Sequence, residues 1–192
     1  MKRFFFVSVA ALFVLGAQAQ KPAQQVGFGV KAGLNFPDAK LKASGRTFKG
    51  TGIIGFHIGG FAELDVAENI SFQPELLFSN FGAKTPDGNT KTTLNYINIP
   101  LLAKYNYNNF GFYIGPQLGL LAAAKLKFAG ETRDAKKDIK STDLSGILGA
   151  EYRLESGLGF SARYALSMTS IAKNKSYKEN HNVFQIGALY RL

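Results

Sequence analysis

The sequence predicts an all-β protein, an eight-stranded antiparallel up-and-down transmembrane β-barrel. Apolar residues alternate with glycine and polar residues along eight segments, which is the period of a strand with one apolar face. Long and short connections between these segments alternate strictly, as they do in outer-membrane barrels. No segment after residue 19 approaches the roughly 20 apolar residues that a membrane-spanning helix needs.

The N-terminal segment is expected to be an export signal. Lys2 and Arg3 form a positive region, residues 4–16 form an apolar run, and residues 17–19, Ala-Gln-Ala, form a small-residue cleavage site. This order is typical of a secretory signal peptide, and the apolar run is too short for a transmembrane anchor, which is the alternative. We therefore expect residues 1–19 to be the signal peptide and residues 20–192 to form the outer-membrane β-barrel domain.

Each predicted strand shows the two-residue period. In the first, even positions such as Phe28 and Leu34 are apolar, whereas odd positions are glycine or polar, as at Lys31. In the fourth the pattern changes phase, which places Pro100 on the polar face. The predicted strands are 26–36, 53–66, 70–81, 94–107, 110–125, 143–154, 158–171 and 183–192.

The connections sort into two kinds. The long ones are 37–50, 82–92, 128–142 and 172–182, and the short ones are 67–69, 108–109 and 155–157. Both termini then lie on the short-turn side of the barrel. In outer-membrane barrels the short turns are periplasmic and the long loops face outward, so we expect periplasmic N- and C-termini.

The same alternation would also suit a soluble, lipocalin-like ligand-binding barrel with its apolar face inward. Glycine on the polar face favours the membrane barrel, because small residues make room for long side chains in a narrow lumen. Aromatic residues near the strand ends also favour it, since they are expected to form girdles at the membrane interfaces. These aromatic residues are Phe36, Phe81, Tyr105, Tyr107, Phe110, Phe112 and Tyr190.

The polar strand face carries charges of both signs. The interior of an eight-stranded barrel is just wide enough to be filled by side chains, and buried charges must pair to offset their desolvation. We therefore expect a plugged lumen with a structural charge network rather than a diffusion pore. The predicted members of this network are Lys31, His57, Glu63, Glu75, Lys104, Glu151 and Arg163.

The net charge of +10 falls mostly in the long connections. Such loops are either simply solvated or bind the phosphates of lipopolysaccharide or another anionic surface polymer. The basic residues form no stripe with interleaved aromatic residues, so nucleic acid is not expected as a partner. The predicted polyanion-binding residues are Lys40, Lys42, Arg46, Lys49, Arg133, Lys136, Lys137, Lys140, Lys173 and Lys175.

Catalytic groups are sparse. The chain has no cysteine and two histidines, His57 on the polar strand face and His181 near the predicted rim. No spacing brings a nucleophile and a base together, and no glycine-rich loop precedes a helix. We therefore expect neither an enzyme nor a cofactor nor a metal site. The alternative is an outer-membrane enzyme with an active site at the rim, where His181 would act with Asp143 or neighbouring serines.

Three segments resemble the PorT-like outer-membrane β-barrel domain family of Bacteroidota. They are 30–35, Val-Lys-Ala-Gly-Leu-Asn; 96–105, Tyr-Ile-Asn-Ile-Pro-Leu-Leu-Ala-Lys-Tyr; and 115–119, Gly-Pro-Gln-Leu-Gly. The resemblance implies a barrel in the outer membrane, with membrane lipid, lipopolysaccharide and the barrel-assembly machinery as expected partners, and no particular activity. The chain departs from the pattern by ending in Leu192, where such barrels usually end in an aromatic residue.

Overall fold

A single antiparallel sheet closes on itself to form the protein. The computed structural model describes residues 26–43, 46–49, 51–85, 88–128, 131–137, 139–169 and 177–192. None of these residues belongs to a helix that could span a membrane. The strands are β1 (Val26–Ala43), β2 (Arg46–Lys49), β3 (Thr51–Ile53), β4 (Gly55–Ala67), β5 (Ile70–Lys84), β6 (Thr90–Tyr107), β7 (Phe110–Phe128), β8 (Glu131–Asp134), β9 (Thr142–Arg153), β10 (Leu158–Ser167) and β11 (Tyr177–Arg191).

Eight strands, counted once around the barrel, form its closed wall. β1 pairs with β4 on one side and with β11 on the other, which joins the first strand to the last. β3 and β4 both pair with β5 and together count as the second of these eight strands. The short strands β2 and β8 return along β1 and β7 at the long-connection end. The predicted eight-stranded antiparallel barrel is therefore confirmed.

Several strands continue beyond the segments that the sequence pattern predicts. β1 and β11 stay paired from Pro37 and Val183 up to Ala43 and Tyr177, so much of the predicted connections 37–50 and 172–182 is strand. β5 and β6 likewise stay paired up to Lys84 and Lys91. The prediction of long loops there was wrong because pairing satisfies the backbone N–H and C=O groups even where the side chains no longer alternate.

The short turns and the described chain ends share one rim of the barrel. Asn108 has φ of 51° and Gly157 has φ of 86°. Tight hairpins require positive φ, which asparagine and glycine tolerate best. At the same rim, the backbone N–H of Leu192 donates to the carbonyl of Phe28 across 2.8 Å. Below, this rim is called the short-turn end and the opposite rim the long-connection end.

The apolar face points away from the lumen. Ile58 is 54% exposed, Leu76 60% and Ile114 62%, whereas Lys31 and Lys104 are each 1% exposed. A soluble protein rarely leaves an apolar surface of such extent in water, whereas a barrel in lipid requires it. The outward apolar face therefore confirms the membrane barrel and excludes the inside-out soluble arrangement.

Five of the seven aromatic residues predicted for the girdles are exposed on the outer face, and Phe36 is half-buried. Tyr105, Tyr107, Phe110 and Phe112 are exposed around the short-turn end, as expected. Phe81 instead lies inside the barrel, where its ring stacks on Tyr96 with centroids 5.7 Å apart. Its odd position on β5 is an inward one, so proximity to the strand end was a misleading guide for this residue.

Candidate functional site

Bulky side chains fill the lumen opposite inward-facing glycines. Tyr113 is 1% exposed, and a Cβ atom on Gly149 would lie only 2.6 Å from its Cε2 atom. Across the barrel, a Cβ atom on Gly29 would lie 2.3 Å from Cζ of Phe61. Glycine at these positions therefore provides the space that the large side chains occupy, as the sequence predicts.

Glu75 lies at the centre of the lumen between two cations. Lys31 Nζ donates to its Oε1 atom across 2.7 Å, and Arg163 Nη1 donates to its Oε2 atom across 2.6 Å. All three side chains are at most 2% exposed. The Lys31 ammonium also lies 5.7 Å from the ring centroid of Phe61 and 5.5 Å from that of Tyr113. The middle of the lumen is thus closed by buried ion pairs and aromatic rings.

A second ionic layer lies toward the short-turn end. Lys104 Nζ donates to Glu63 across 2.6 Å and to Glu151 across 2.9 Å. Arg153 Nη2 donates to the same two carboxylates, each across 2.7 Å. Gln73 connects this layer to the middle one, because it accepts from Lys104 across 2.9 Å and donates to Glu75 across 2.8 Å. The two layers therefore form one continuous network.

Toward the long-connection end the network changes from charges to amides. His57 Nδ1 lies 2.9 Å from Oδ1 of Asn35, and Gln185 Nε2 donates to the same oxygen across 2.5 Å. Gln185 in turn accepts from Arg163 Nε across 2.6 Å. His57 thus bonds to an amide oxygen rather than to a carboxylate, which is not the arrangement of a general base with an orienting acid.

All seven predicted network residues lie in the lumen, and six of them form the ion pairs described above. Further lumen residues join the network without having been predicted: Arg153, Asn35, Gln73 and Gln185. Each of them occupies an inward position of its strand, so the alternation contained the signal. The alternation shows which residues point inward, but not that Arg153 shares Glu63 and Glu151 with Lys104 or that the amides connect the charged residues.

Cavities flank the network on both sides within the described part of the barrel. The cavity toward the long-connection end has a volume of about 20 Å³ and is lined by residues such as Phe81, Tyr96 and Gln117. That volume suffices for about one water molecule. The cavity at the short-turn end has a volume of about 340 Å³ and is lined by residues that include Asp65 and Arg191. The ionic layers separate the two, so no open channel crosses the described lumen.

Basic residues gather at the long-connection end. The backbone register pairs Lys40 with Lys49 and Lys42 with Lys178 on neighbouring strands, and Arg46 lies in β2. The side chains of Arg133, Lys136, Lys137 and Lys140 are exposed in and after β8. Lys173 and Lys175 lie outside the described residues.

Three further lysines at this end were not among the predicted binding residues. Lys84 of β5 pairs directly with Lys91 of β6, which pairs directly with Lys127 of β7. All three are exposed. We call them the lysine row. The sequence pattern missed it because the row follows from strand register in a segment that was taken for loop.

The alternative of a rim enzyme finds little support in the described structure. The side chain of His181 lies outside the described part of the chain, and so do residues Ser170 and Ser176. Asp143 accepts hydrogen bonds from Ser145 and Thr169, across 2.9 and 2.8 Å. Among the described side chains, no group of His, Asp or Glu is arranged to hold a metal ion.

Comparisons with known proteins agree with this architecture. Residues 17–173 match the family model described as outer membrane protein beta-barrel domain. Neisserial surface protein A is similar in structure, with a TM-score of 0.60 and 18% identity over 88% of this chain and 100% of that one.

Ail, the attachment invasion locus protein of Yersinia pestis, is also similar, with a TM-score of 0.52 and 15% identity over 88% of this chain and 99% of that one. A second Ail structure, in complex with the heparin analogue sucrose octasulfate, aligns with a TM-score of 0.50. No curated protein sequence matches this one.

Proposed function

The chain belongs to the outer membrane protein β-barrel domain family, and from this premise we propose that it acts through its surface rather than as a pore. It is a small outer-membrane barrel. In the proposal its role is structural or adhesive, and it interacts with other molecules through the basic long-connection end. We propose no enzymatic activity and no cofactor for it.

The observation that carries this proposal is the network around Glu75. Lys31 and Arg163 bind the two oxygens of this carboxylate in a part of the lumen where all three side chains are buried. Opening such a network would leave buried charges without partners, which is unfavourable by several kcal/mol. A solute therefore has no path through the barrel, and the exposed ends are the surfaces left for function.

The ligand chemistry follows from the charge of the long-connection end. Lysine and arginine clusters attract phosphate and sulfate groups. We propose lipopolysaccharide or another anionic surface polymer as the ligand. Ail, a barrel of the same fold, has been solved with a sulfated saccharide analogue, which supports the chemistry without identifying the ligand of this chain.

Export, orientation and subfamily are parts of the same proposal. A cleaved signal peptide at residues 1–19, followed by a barrel domain over residues 20–192, would bring the chain to the assembly machinery of the outer membrane. Periplasmic termini would then place the long-connection end outside the cell. The segments 30–35, 96–105 and 115–119 favour a PorT-like member.

Neutralising basic residues of the long-connection end is expected to weaken polyanion binding. In neutral-lipid nanodiscs, the double variant Lys42→Gln with Lys140→Gln should bind lipopolysaccharide about threefold more weakly, because an exposed charge contact contributes about 0.2–1 kcal/mol. The difference should shrink as salt is added, because salt screens exposed charges. Binding is measured by titration at low and high ionic strength.

The matched control changes the net charge equally at the opposite end. Asn69→Asp with Asn108→Asp lowers the charge by the same amount in two exposed short turns. This control should bind like the parent protein. Equal weakening in both double variants would show that only net charge matters, and undetectable binding by the parent protein would contradict the proposed ligand class.

A further inference from the structure

The lysine row consists of directly opposed like charges on three adjacent strands. Lys91 lies opposite Lys84 on one side and opposite Lys127 on the other. Directly paired residues of an antiparallel sheet have Cβ atoms about 4.5–5.5 Å apart on the same face. Three exposed ammonium groups therefore share one small area of the outer wall, just below the turn in which Thr85 N–H donates to the carbonyl of Thr90.

Among the described residues, no carboxylate lies directly opposite any of the three row lysines, whereas a neighbouring lysine has one. Lys125, two residues before Lys127 on β7, lies directly opposite Asp134 of β8. Lys127 lies opposite Thr132 instead. Within the described residues, none of the three row lysines forms a salt bridge, and like charges placed directly opposite each other destabilise a sheet. A bound anion would remove this repulsion.

The height of the row on the barrel indicates what kind of anion can reach it. On β6 the outward positions run from Ile97 through Asn95 to Lys91, and the Asn95 side chain accepts a hydrogen bond from Asn80. With a strand rise of about 3.3 Å and a tilt of about 40°, Lys91 lies about 15 Å beyond the apolar rung of Ile97. Phospholipid headgroups extend only about 5–8 Å beyond the hydrocarbon. Because the outward residues between Ile97 and Lys91, Asn95 and Thr93, are polar, the row lies beyond the apolar part of β6, where charged groups at or above the membrane surface can reach it.

We propose that the lysine row is an anion-binding site for the phosphate or sulfate groups of a saccharide. Lys84, Lys91 and Lys127 present three ammonium groups to one such group, with Lys91 at the centre. The saccharide is either the sugar-phosphate region of a membrane-anchored glycolipid or a soluble polymer. This inference rests on the proposed function and assigns its ligand to residues outside the set predicted from the sequence.

Lys91→Gln tests the site through two effects of opposite sign. Without ligand, the variant should unfold at a slightly higher urea concentration than the parent, because two like-charge contacts are relieved. With sucrose octasulfate as the probe, its affinity should fall about fivefold, since the central charge-assisted contact is lost. Lys125→Gln is the matched control, as it removes a charge of the same strand region that already faces Asp134. The control should bind the probe within about twofold of the parent.

The outcomes separate this site from the general proposal. In one outcome the parent binds the probe, the double variant Lys42→Gln with Lys140→Gln weakens this binding, and Lys91→Gln does not. The lysine row is then not the binding site, although the proposed function stands. If Lys91→Gln and Lys125→Gln weaken binding equally, the row has no special role. If the parent binds neither the probe nor lipopolysaccharide, both proposals fail.

The source of the saccharide is resolved by a second arm of the experiment. The same variants are titrated with sucrose octasulfate in solution and, separately, reconstituted with lipopolysaccharide in the same bilayer. A Lys91→Gln defect only in the bilayer arm indicates a membrane-anchored glycolipid. A defect in both arms indicates a site that is also open to soluble polymers, and no defect in either arm overturns the site.

Discussion

Glu75→Gln is expected to lower the free energy of unfolding by about 3–5 kcal/mol, because it leaves two buried cations without their shared partner. Lys31 and Arg163 both donate to this carboxylate, and Gln73 donates to it as well. A neutral amide has one acceptor oxygen and cannot balance two positive charges. The measurement is a urea titration of the barrel in detergent micelles, followed by far-ultraviolet circular dichroism.

The control for this substitution is Glu155→Gln in an exposed short turn. It should change the free energy of unfolding by less than about 0.5 kcal/mol, as most surface substitutions do. Adding Lys31→Met to Glu75→Gln should restore part of the loss, since one unpaired charge is then removed. If Glu75→Gln and Glu155→Gln unfold at the same urea concentration, the network does not stabilise the barrel.

Gly149→Ala is expected to lower the free energy of unfolding by about 2–3 kcal/mol through overpacking. The added Cβ atom would lie 2.5 Å from Cβ of Arg163, 2.6 Å from the Tyr113 ring and 2.9 Å from the carbonyl oxygen of Ala162. The backbone carbonyl and the Cβ atom cannot move without shifting the strand. The same urea titration measures the effect.

Gly146→Ala on the same strand is the matched control. Its Cβ atom would have Met168 as its nearest neighbour, at 4.0 Å, which is an ordinary van der Waals distance. We expect no loss of stability from it, because alanine suits a strand at least as well as glycine. Equal destabilisation at both positions would mean that the space opposite Tyr113 is not what requires glycine at position 149.

The wall of the barrel was predictable because a two-residue period determines which side chains share a face. The pattern predicted the eight strands of the barrel and placed Ile58, Leu76 and Ile114 on the outer face, where the structure has them. It also placed the odd residues of β6 on the outer face and Pro100 on the inner face, but it gave no sign of the extra residue, Ala122, at the register shift in β7. The glycine-rich inner face distinguished a membrane barrel from a soluble one.

The contacts inside the lumen were less predictable. Which inward residues meet across a barrel depends on the stagger between strands, and alternation along single strands does not determine it. His57 illustrates this limit, because its position predicts that it is buried but not that its partner is Asn35. The lysine row was not predicted either. The predicted strands end where the apolar alternation stops, whereas the backbone pairing of β5 with β6 continues to Lys84 and Lys91.

The central claim is that the lumen is closed, and ion conductance tests it most directly. The protein is inserted into a planar lipid bilayer, and the current is recorded at fixed voltage. We predict no steady open-pore current, because Glu75 with its cations and Tyr113 fill the middle of the lumen. A stable conductance that rises with each inserted molecule would contradict the closed lumen and would favour a channel function.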